Sequence, residues 1–193
     1  MPPPTVCEIA GVTGPVTDAS GNTYSAVSVE TQCWLKENLK NTSGVADGNH
    51  LSNEQWASNT SPSYCYYNND PGNVSTYGVM YNWYAAGNVC PSGWRLPNKT
   101  DWDILRTSLF SVPSLSSFFT NPKGGHRALD VNGGGIFAYF EKLGERFHYW
   151  TSTSTTTPTP SGGTSAYVMM GTNVLTENQN AKQTGSYVRC IKN

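Results

Sequence analysis

Turn-forming residues interrupt this chain so often that long helices should be few. Its 193 residues include 19 glycines and 12 prolines, with many Asn, Ser and Thr, and these residues favour turns and loops. Six Trp and eleven Tyr supply large apolar anchors between the turns. We therefore expect one α+β domain with short helices, several short antiparallel strands and a large irregular loop fraction.

The charge balance argues against one broad class of function. Only 13% of residues are charged, with 12 basic against 13 acidic residues, so we predict no binding of nucleic acid. The longest apolar runs, such as 167–170, are far shorter than the roughly 20 residues of a membrane span. Met1 precedes three prolines rather than a basic and an apolar segment, so we predict neither a signal peptide nor membrane insertion.

Local patterns predict the elements of the first half. A Gly-Asn turn inside 18–29 precedes an alternating apolar pattern, which predicts a hairpin and a strand. The segment 32–40 fits either a short helix or an extended edge, with Trp34 facing the core in both cases. Met80, Trp83 and Tyr84 recur at helical spacing before Gly87. This spacing predicts one short buried helix within 77–87.

The second half predicts one clear helix and several strands. The helix should begin at Thr100, whose hydroxyl can cap the amide of Asp103. Residues 110–135 are rich in Ser, Pro and Gly, and we predict an irregular connection there. The aromatic segment 137–150 can supply strands, and 151–164 is polar and low in complexity, which predicts an exposed loop. Two final strands should follow at 165–170 and 185–191, with a polar stretch at 171–184 between them.

Six blocks of sequence together resemble one family. They are QCWLKENLK (32–40), YCYYNND (64–70), TYGVMYNWYAA (76–86), CPSGWRLPNKTDWDIL (90–105), YWTST (149–153) and YVRCIKN (187–193). They resemble the Fibrobacter succinogenes major paralogous domain over most of residues 18–193, with residues 1–17 as an N-terminal extension. The chain departs from the family's usual Gly-Tyr-Arg segment before the YW block, where it has AYFEKLGER (138–146).

The resemblance implies a fold and a role. The family is similar to the formylglycine-generating-enzyme branch of C-type lectin-like folds, whose members also serve as variable proteins of diversity-generating retroelements. It implies a non-enzymatic display domain, extracellular on a cell surface or virion tail, that binds a protein or glycan through its C-terminal region. The alternative is a structural subunit of a surface appendage without a dedicated ligand.

The five cysteines fit an oxidising compartment with two bridges and one thiol left over. In the fold that the resemblance implies, the segments of Cys90 and Cys190 lie side by side, so we pair them, with Cys7 and Cys33 as the second pair. Cys65 is then a buried free thiol. An oxidase like the formylglycine-generating relatives needs an accessible thiolate with a resolving partner. Because the sequence has no close cysteine pair, we predict no enzyme activity.

We predict no metal or other cofactor. The histidines, at positions 50, 126 and 148, show no metal-binding spacing. The loop with Asn68, Asn69, Asp70 and Asn73 offers oxygen ligands that could bind calcium, but its Asn-Asp-Pro-Gly run is also an ordinary turn sequence. We favour the turn.

The predicted contact surface lies in the C-terminal region. Tyr gives rigid amphipathic area and Asn adaptable hydrogen bonds, as in antibody loops. Strand alternation lets Tyr167 and Met169 point outward while their neighbours point inward, or the reverse. The bland alternative is that these residues are merely solvated. The predicted ligand-binding residues are Tyr149, Thr153, Tyr167, Met169, Asn173, Thr176, Asn178 and Asn180.

Overall fold

Short antiparallel strands dominate the structure, a computed structural model that describes residues 5–111, 122–132, 135–159 and 164–193. The helices are α1 (Val6–Ile9), α2 (Asn53–Ala57), α3 (Val74–Tyr77), α4 (Trp83–Ala86) and α5 (Lys99–Ser111), with 3₁₀ turns at Tyr67–Asn69 and Pro71–Asn73. The strands are β1 (Val16–Thr17), β2 (Thr23–Tyr24), β3 (Ala26–Val29), β4 (Gln32–Leu35), β5 (Ala46–Asp47), β6 (Ser63–Cys65), β7 (Met80–Tyr81), β8 (Trp94–Arg95), β9 (Gly124–Asn132), β10 (Gly135–Leu143), β11 (Phe147–Pro158), β12 (Thr164–Gly171), β13 (Thr176–Ala181) and β14 (Ile191–Lys192). The mixed α+β class is confirmed.

A four-stranded sheet places the last strand of the chain beside strands from its first half. Its order is β3-β4-β14-β8, and Ile191 of β14 lies opposite both Trp34 of β4 and Arg95 of β8. The segment 32–40, for which the sequence allowed either a helix or an extended edge, therefore starts as a strand. All four residues of β4 are buried, and Trp34 is 0% exposed, because the strand is covered on both faces.

The predicted helix within 77–87 is wrong, because a strand divides it. Helix α3 ends at Tyr77, and Gly78 then takes a φ of 85°, which an L side chain rarely adopts. A Cβ at Gly78 would lie 2.8 Å from Asn38 Cβ, so the chain passes close to that residue before it forms β7. Gly87 is still the C-cap of α4. The helical spacing of the aromatic residues thus came from a strand followed by one helical turn.

The long helix begins at Lys99, and Asn98, not Thr100, caps it. Asn98 Oδ1 accepts the amide of Asp101 (2.9 Å), and Asp101 Oδ2 accepts the amide of Asn98 (2.7 Å). This reciprocal pair is an Asn-x-x-Asp version of the capping box. Asp101 also forms a bidentate pair with Arg95, at 2.5 and 2.9 Å. The prediction of a Thr100 cap was wrong by two residues.

Three strands, β9, β11 and β13, lie in segments that we predicted to be irregular or polar, with β13 inside 171–184. The predicted strand at 185–191 forms only in part, as isolated bridges at 185–187 and as β14 from Ile191. β9 lies within 110–135 and pairs with β10 from Asn132↔Gly135 to Gly124↔Leu143. β11 continues to Pro158, opposite Thr164 of β12, through the stretch that we expected to be a loop. Residues 112–121, 133–134 and 160–163 of these predicted segments lie outside the described residues. An antiparallel sheet tolerates such polar sequences because one of its faces can remain solvated.

Candidate ligand-binding cleft

The eight predicted contact residues do not share one surface. Tyr149 and Met169 are both 0% exposed, so the prediction that they contact a ligand was wrong. Tyr149 stacks on Trp102 at a ring distance of 5.5 Å, which places it in the core. Val168 is buried as well; both faces of β12 are therefore covered there, and the simple alternation of exposed and buried side chains fails. The other six are Thr153, Tyr167 and Asn180, which are half-buried, and Asn173, Thr176 and Asn178, which are exposed.

The hydroxyls of Thr153 and Thr176, two of these six, already make structural hydrogen bonds. Thr153 Oγ1 accepts the amide of Lys99 at the start of α5 (3.0 Å). Thr176 Oγ1 donates to the carbonyl of Met170 across the sheet (2.6 Å). These hydroxyls have local partners, so a ligand would have to compete with those bonds.

Asn178 and Asn180 line a cleft of about 560 Å³ between β9 and the end of β13. This volume lies within the range of small-molecule sites. Sequence reasoning missed other polar lining residues. Asp130, Tyr139 and Glu141 come from β9 and β10, which we did not predict as the facing wall, while Arg146 directly precedes β11 and Gln179 lies on β13.

The cleft exists because one ladder of backbone hydrogen bonds stops early. Arg127 and Gly185 exchange two backbone hydrogen bonds of 2.9 Å. Antiparallel pairing would next place 183 opposite 129, but a turn closed by Thr184 N–H and Ala181 O (2.9 Å) takes the chain away. β9 beyond Arg127 and the end of β13 therefore face each other across open space.

Two buried histidines border this space. The rings of His126 and His148 stack almost parallel, with centroids 4.3 Å apart and an interplanar angle of 5°. Asn180 Nδ2 lies 3.4 Å from His148 Nε2, and Ser186 Oγ lies 2.8 Å from His148 Nδ1. An amide Nδ2 can only donate, so His148 Nε2 accepts, and the ring proton sits on Nδ1 and points to Ser186.

Both rings are neutral at pH 7. Burial, helped by the charges of Arg146 and Lys142, lowers the pKa of His126 to about 4, although His126 Nε2 lies 3.2 Å from Glu141 Oε1. Burial, helped by His126 and Arg146, lowers the pKa of His148 well below its usual value. Two stacked cations would repel each other, so the arrangement favours two uncharged rings. No spacing in the sequence could reveal this long-range pair.

Part of the chain matches a known protein family. Residues 27–114 match the model of the Fibrobacter succinogenes major domain. Residues 27–114 belong to this family. No curated protein and no solved structure matches the chain.

The cleft lies outside the Fibrobacter succinogenes major domain match. Its lining residues run from His126 to Thr184, whereas the match ends at residue 114. The matched segment instead supplies the helix α5 and three of the four strands of the central sheet. The family match therefore says nothing of the chemistry of the cleft, which depends on residues outside it.

Both predicted disulfides are present. Cys7 pairs with Cys33 and Cys90 pairs with Cys190, with Cα separations of 5.0 and 5.9 Å. Two bridges indicate folding in an oxidising compartment, as for a secreted or extracellular protein. Within the described parts of the chain, none of the helices has the length and apolar content of a membrane span.

Cys65 is a buried free thiol, also as expected. Burial raises its pKa to about 12, although Arg127 acts in the opposite direction. The thiol is therefore protonated at pH 7, and a protonated, inaccessible thiol is a poor nucleophile.

The Asn-rich loop forms the turn that we favoured over a calcium site. Asp70 Oδ1 accepts the amide of Gly72 (2.8 Å), and Asn73 Nδ2 donates to the carbonyl of Tyr67 (3.0 Å). These bonds give the loop its two 3₁₀ turns. Among the described residues, no group of three or more His, Cys, Asp and Glu side chains could hold a metal ion.

Proposed function

We propose that the protein is a non-enzymatic binding module, displayed on a cell surface or virion, that holds a protein or glycan in the cleft between β9 and β13. The observation that supports this is the lining of the cleft. The amides of Asn178, Gln179 and Asn180 face the carboxylates of Asp130 and Glu141 across it. Such groups both donate and accept hydrogen bonds, as sugar hydroxyls and peptide groups require.

Electrostatics supports binding over catalysis at this place. A general base works best when its pKa lies near the operating pH, but burial lowers the pKa of His126 to about 4. His148 is fully buried and already bonded to Ser186. The proposal includes a C-type lectin-like fold, with which the short helices and antiparallel strands are compatible.

The test is binding by a variant whose cleft amides are shortened. Asn178 and Gln179 are both exposed, so the double variant Asn178→Ala/Gln179→Ala should fold normally. We expect it to lose roughly tenfold or more in affinity on a glycan array or on target cells, because several polar ligand contacts disappear. Thr156→Ala, an exposed change on β11 of the same sheet, should bind like the parent.

Two outcomes would count against the proposal. Equal binding by the double variant and the parent would move the site elsewhere. Self-association of the parent, with no ligand on the array or the cells, would favour a structural subunit of a surface appendage.

The proposal extends to variation of the cleft by a diversity-generating retroelement. Both Asn codons have adenine at their first two positions, and two of the three consecutive cleft residues 178–180 are Asn. Deep sequencing of the 3′ end of the gene in its native population tests this, with a search of nearby DNA for a near-copy that differs mainly at adenines. Substitutions clustered within codons 149–184 are expected. An invariant 3′ end with no nearby copy would leave a fixed binding site.

A further inference from the structure

A second depression, separate from the cleft, has a strong charge bias. It encloses about 700 Å³ and is lined by residues of 36–40, 75–78 and 122–123, together with Gly144 and Arg189. None of these residues lines the cleft between β9 and β13. The depression is therefore an independent feature of the surface.

Hydrogen bonds fix the side chains that form its floor. Arg189 is 0% exposed, and its Nε donates to Asn38 Oδ1 at 2.7 Å. Asn38 Nδ2 in turn donates to the carbonyl of Tyr77 at 2.8 Å. Gly78 completes the floor, where a Cβ would lie 2.8 Å from Asn38 Cβ. Asn38 thus links the guanidinium of Arg189 to the backbone at Tyr77.

The rim adds further positive charge. Lys40 Nζ donates to the carbonyl of Ser75 (3.2 Å), and Lys123 Nζ donates to Asn173 Oδ1 (3.1 Å). Both partners are uncharged, so neither bond neutralises its lysine. The charged lining residues are four cations, Lys36, Lys40, Lys123 and Arg189, and one carboxylate, Glu37.

This imbalance is local. The whole chain has a formal net charge of −1, and residues 1–4, 112–121, 133–134 and 160–163 contain no charged side chain. The chain therefore concentrates cations at one concave place while its overall charge stays slightly negative. Cations gathered in a low-dielectric concavity attract anions more strongly than cations scattered over a convex surface.

We propose that this depression binds an oxyanion carried on a small organic molecule, such as the sulfate or carboxylate of an acidic oligosaccharide. Its volume of about 700 Å³ far exceeds one tetrahedral anion and matches a sugar-sized ligand. Lys36, Lys40 and Lys123 line a concave surface, so a ligand must project into the depression to approach them together.

Titration calorimetry with a fully sulfated heparin tetrasaccharide tests this site. The parent protein should bind it, bind it more weakly as salt rises, and not bind the neutral sugar chitotetraose. The variant Lys40→Gln/Lys123→Gln should raise the dissociation constant about tenfold or more, because two charge-assisted contacts are lost. The variant Lys182→Gln/Lys192→Gln removes the same charge at residues outside the depression and should bind like the parent.

The depression is not an anion site if the parent protein fails to bind the tetrasaccharide. It is also not one if the parent binds chitotetraose equally well, or if the two lysine variants lose affinity to the same extent. Co-sedimentation with vesicles of phosphatidylcholine and phosphatidylglycerol in equal parts, without tetrasaccharide binding, would also overturn the proposal. Circular dichroism melts of both variants confirm that any loss occurs in a folded protein. These outcomes do not depend on the cleft between β9 and β13.

Discussion

The matched segment 27–114 and the strand region 122–193 bury polar groups in different ways. In the matched segment the buried polar side chains include asparagines bonded to the backbone: Asn41 Nδ2 donates to the carbonyl of Val89, and Asn82 Oδ1 accepts the amide of Ser63. In the strand region they include four ionisable side chains, His126, Arg127, His148 and Arg189. Among the described residues, the buried polar side chains of the first region are neutral apart from Asp101, whereas the second region contains two histidines that gain a charge when they bind a proton.

The difference extends to satisfaction of hydrogen bonds. His126 Nδ1 and the Tyr149 hydroxyl are buried and have no hydrogen-bond partner among the described residues. A buried polar atom without a partner costs about 1 to 3 kcal/mol, and chains keep such costs mainly where function requires them. These two groups lie in the strand region, which also forms the proposed cleft, whereas most of the charged depression is lined by the matched segment.

The Cys90–Cys190 bridge tests whether the two regions fold as one unit, because it joins them directly. It closes a loop of 100 residues, so its loss should lower the free energy of unfolding by about 4.7 kcal/mol on the chain-entropy model. The Cys7–Cys33 bridge spans only 26 residues and should contribute about 3.5 kcal/mol. Guanidinium unfolding of Cys90→Ala/Cys190→Ala and of Cys7→Ala/Cys33→Ala measures both.

The two cysteine variants are matched controls for each other. A single transition in both, with the larger loss for Cys90→Ala/Cys190→Ala, supports one cooperative unit. Two separate transitions in that variant would show that the matched segment and the strand region unfold independently, and the comparison would then describe two domains.

The sequence was more informative about the scaffold than about the site. The disulfide pairs followed from the family resemblance, and the burial of Trp34 followed from apolar spacing, which is a local signal. The cleft could not be predicted in the same way, since Arg127 and Gly185, which pair beside it, are distant in sequence. Tyr149 was assigned to the surface because an aromatic residue suits both a core and a contact surface.

The histidine pair of the strand region should make the protein sensitive to acid. The folded pKa of His126 is about 4, against 6.5 for the free side chain, so the unfolded chain binds more protons between these values. The stability linked to the neutral His126 ring is fully present above about pH 6.5. As pH falls towards 4, the free energy of unfolding should drop by on the order of 3 kcal/mol. His148 shifts in the same direction. Unfolding free energies measured between pH 4 and about pH 7 should therefore fall with acid.

Removing one ring identifies the source of this dependence. His126→Gln keeps a polar side chain without titration, so its unfolding free energy should vary less with pH than that of the parent, whatever its value at neutral pH. His50→Gln changes an exposed histidine of the matched segment and should follow the parent curve. Parallel curves for the parent and His126→Gln would show that the stacked pair does not control acid stability.

The smallest expected effect concerns the cap of α5 in the matched segment. Asn98→Ala removes the acceptor for the amide of Asp101 and should lower the free energy of unfolding by about 1 kcal/mol, a usual cost for losing an N-cap. Thr100→Ala is the matched control, because Thr100 lies inside the helix and should change stability by less than about 0.5 kcal/mol. Urea unfolding of both variants decides between them. A larger loss for Thr100→Ala would show that Thr100 caps the helix, as the local sequence predicted. Asparagine side chains would then matter less to the matched segment than we infer.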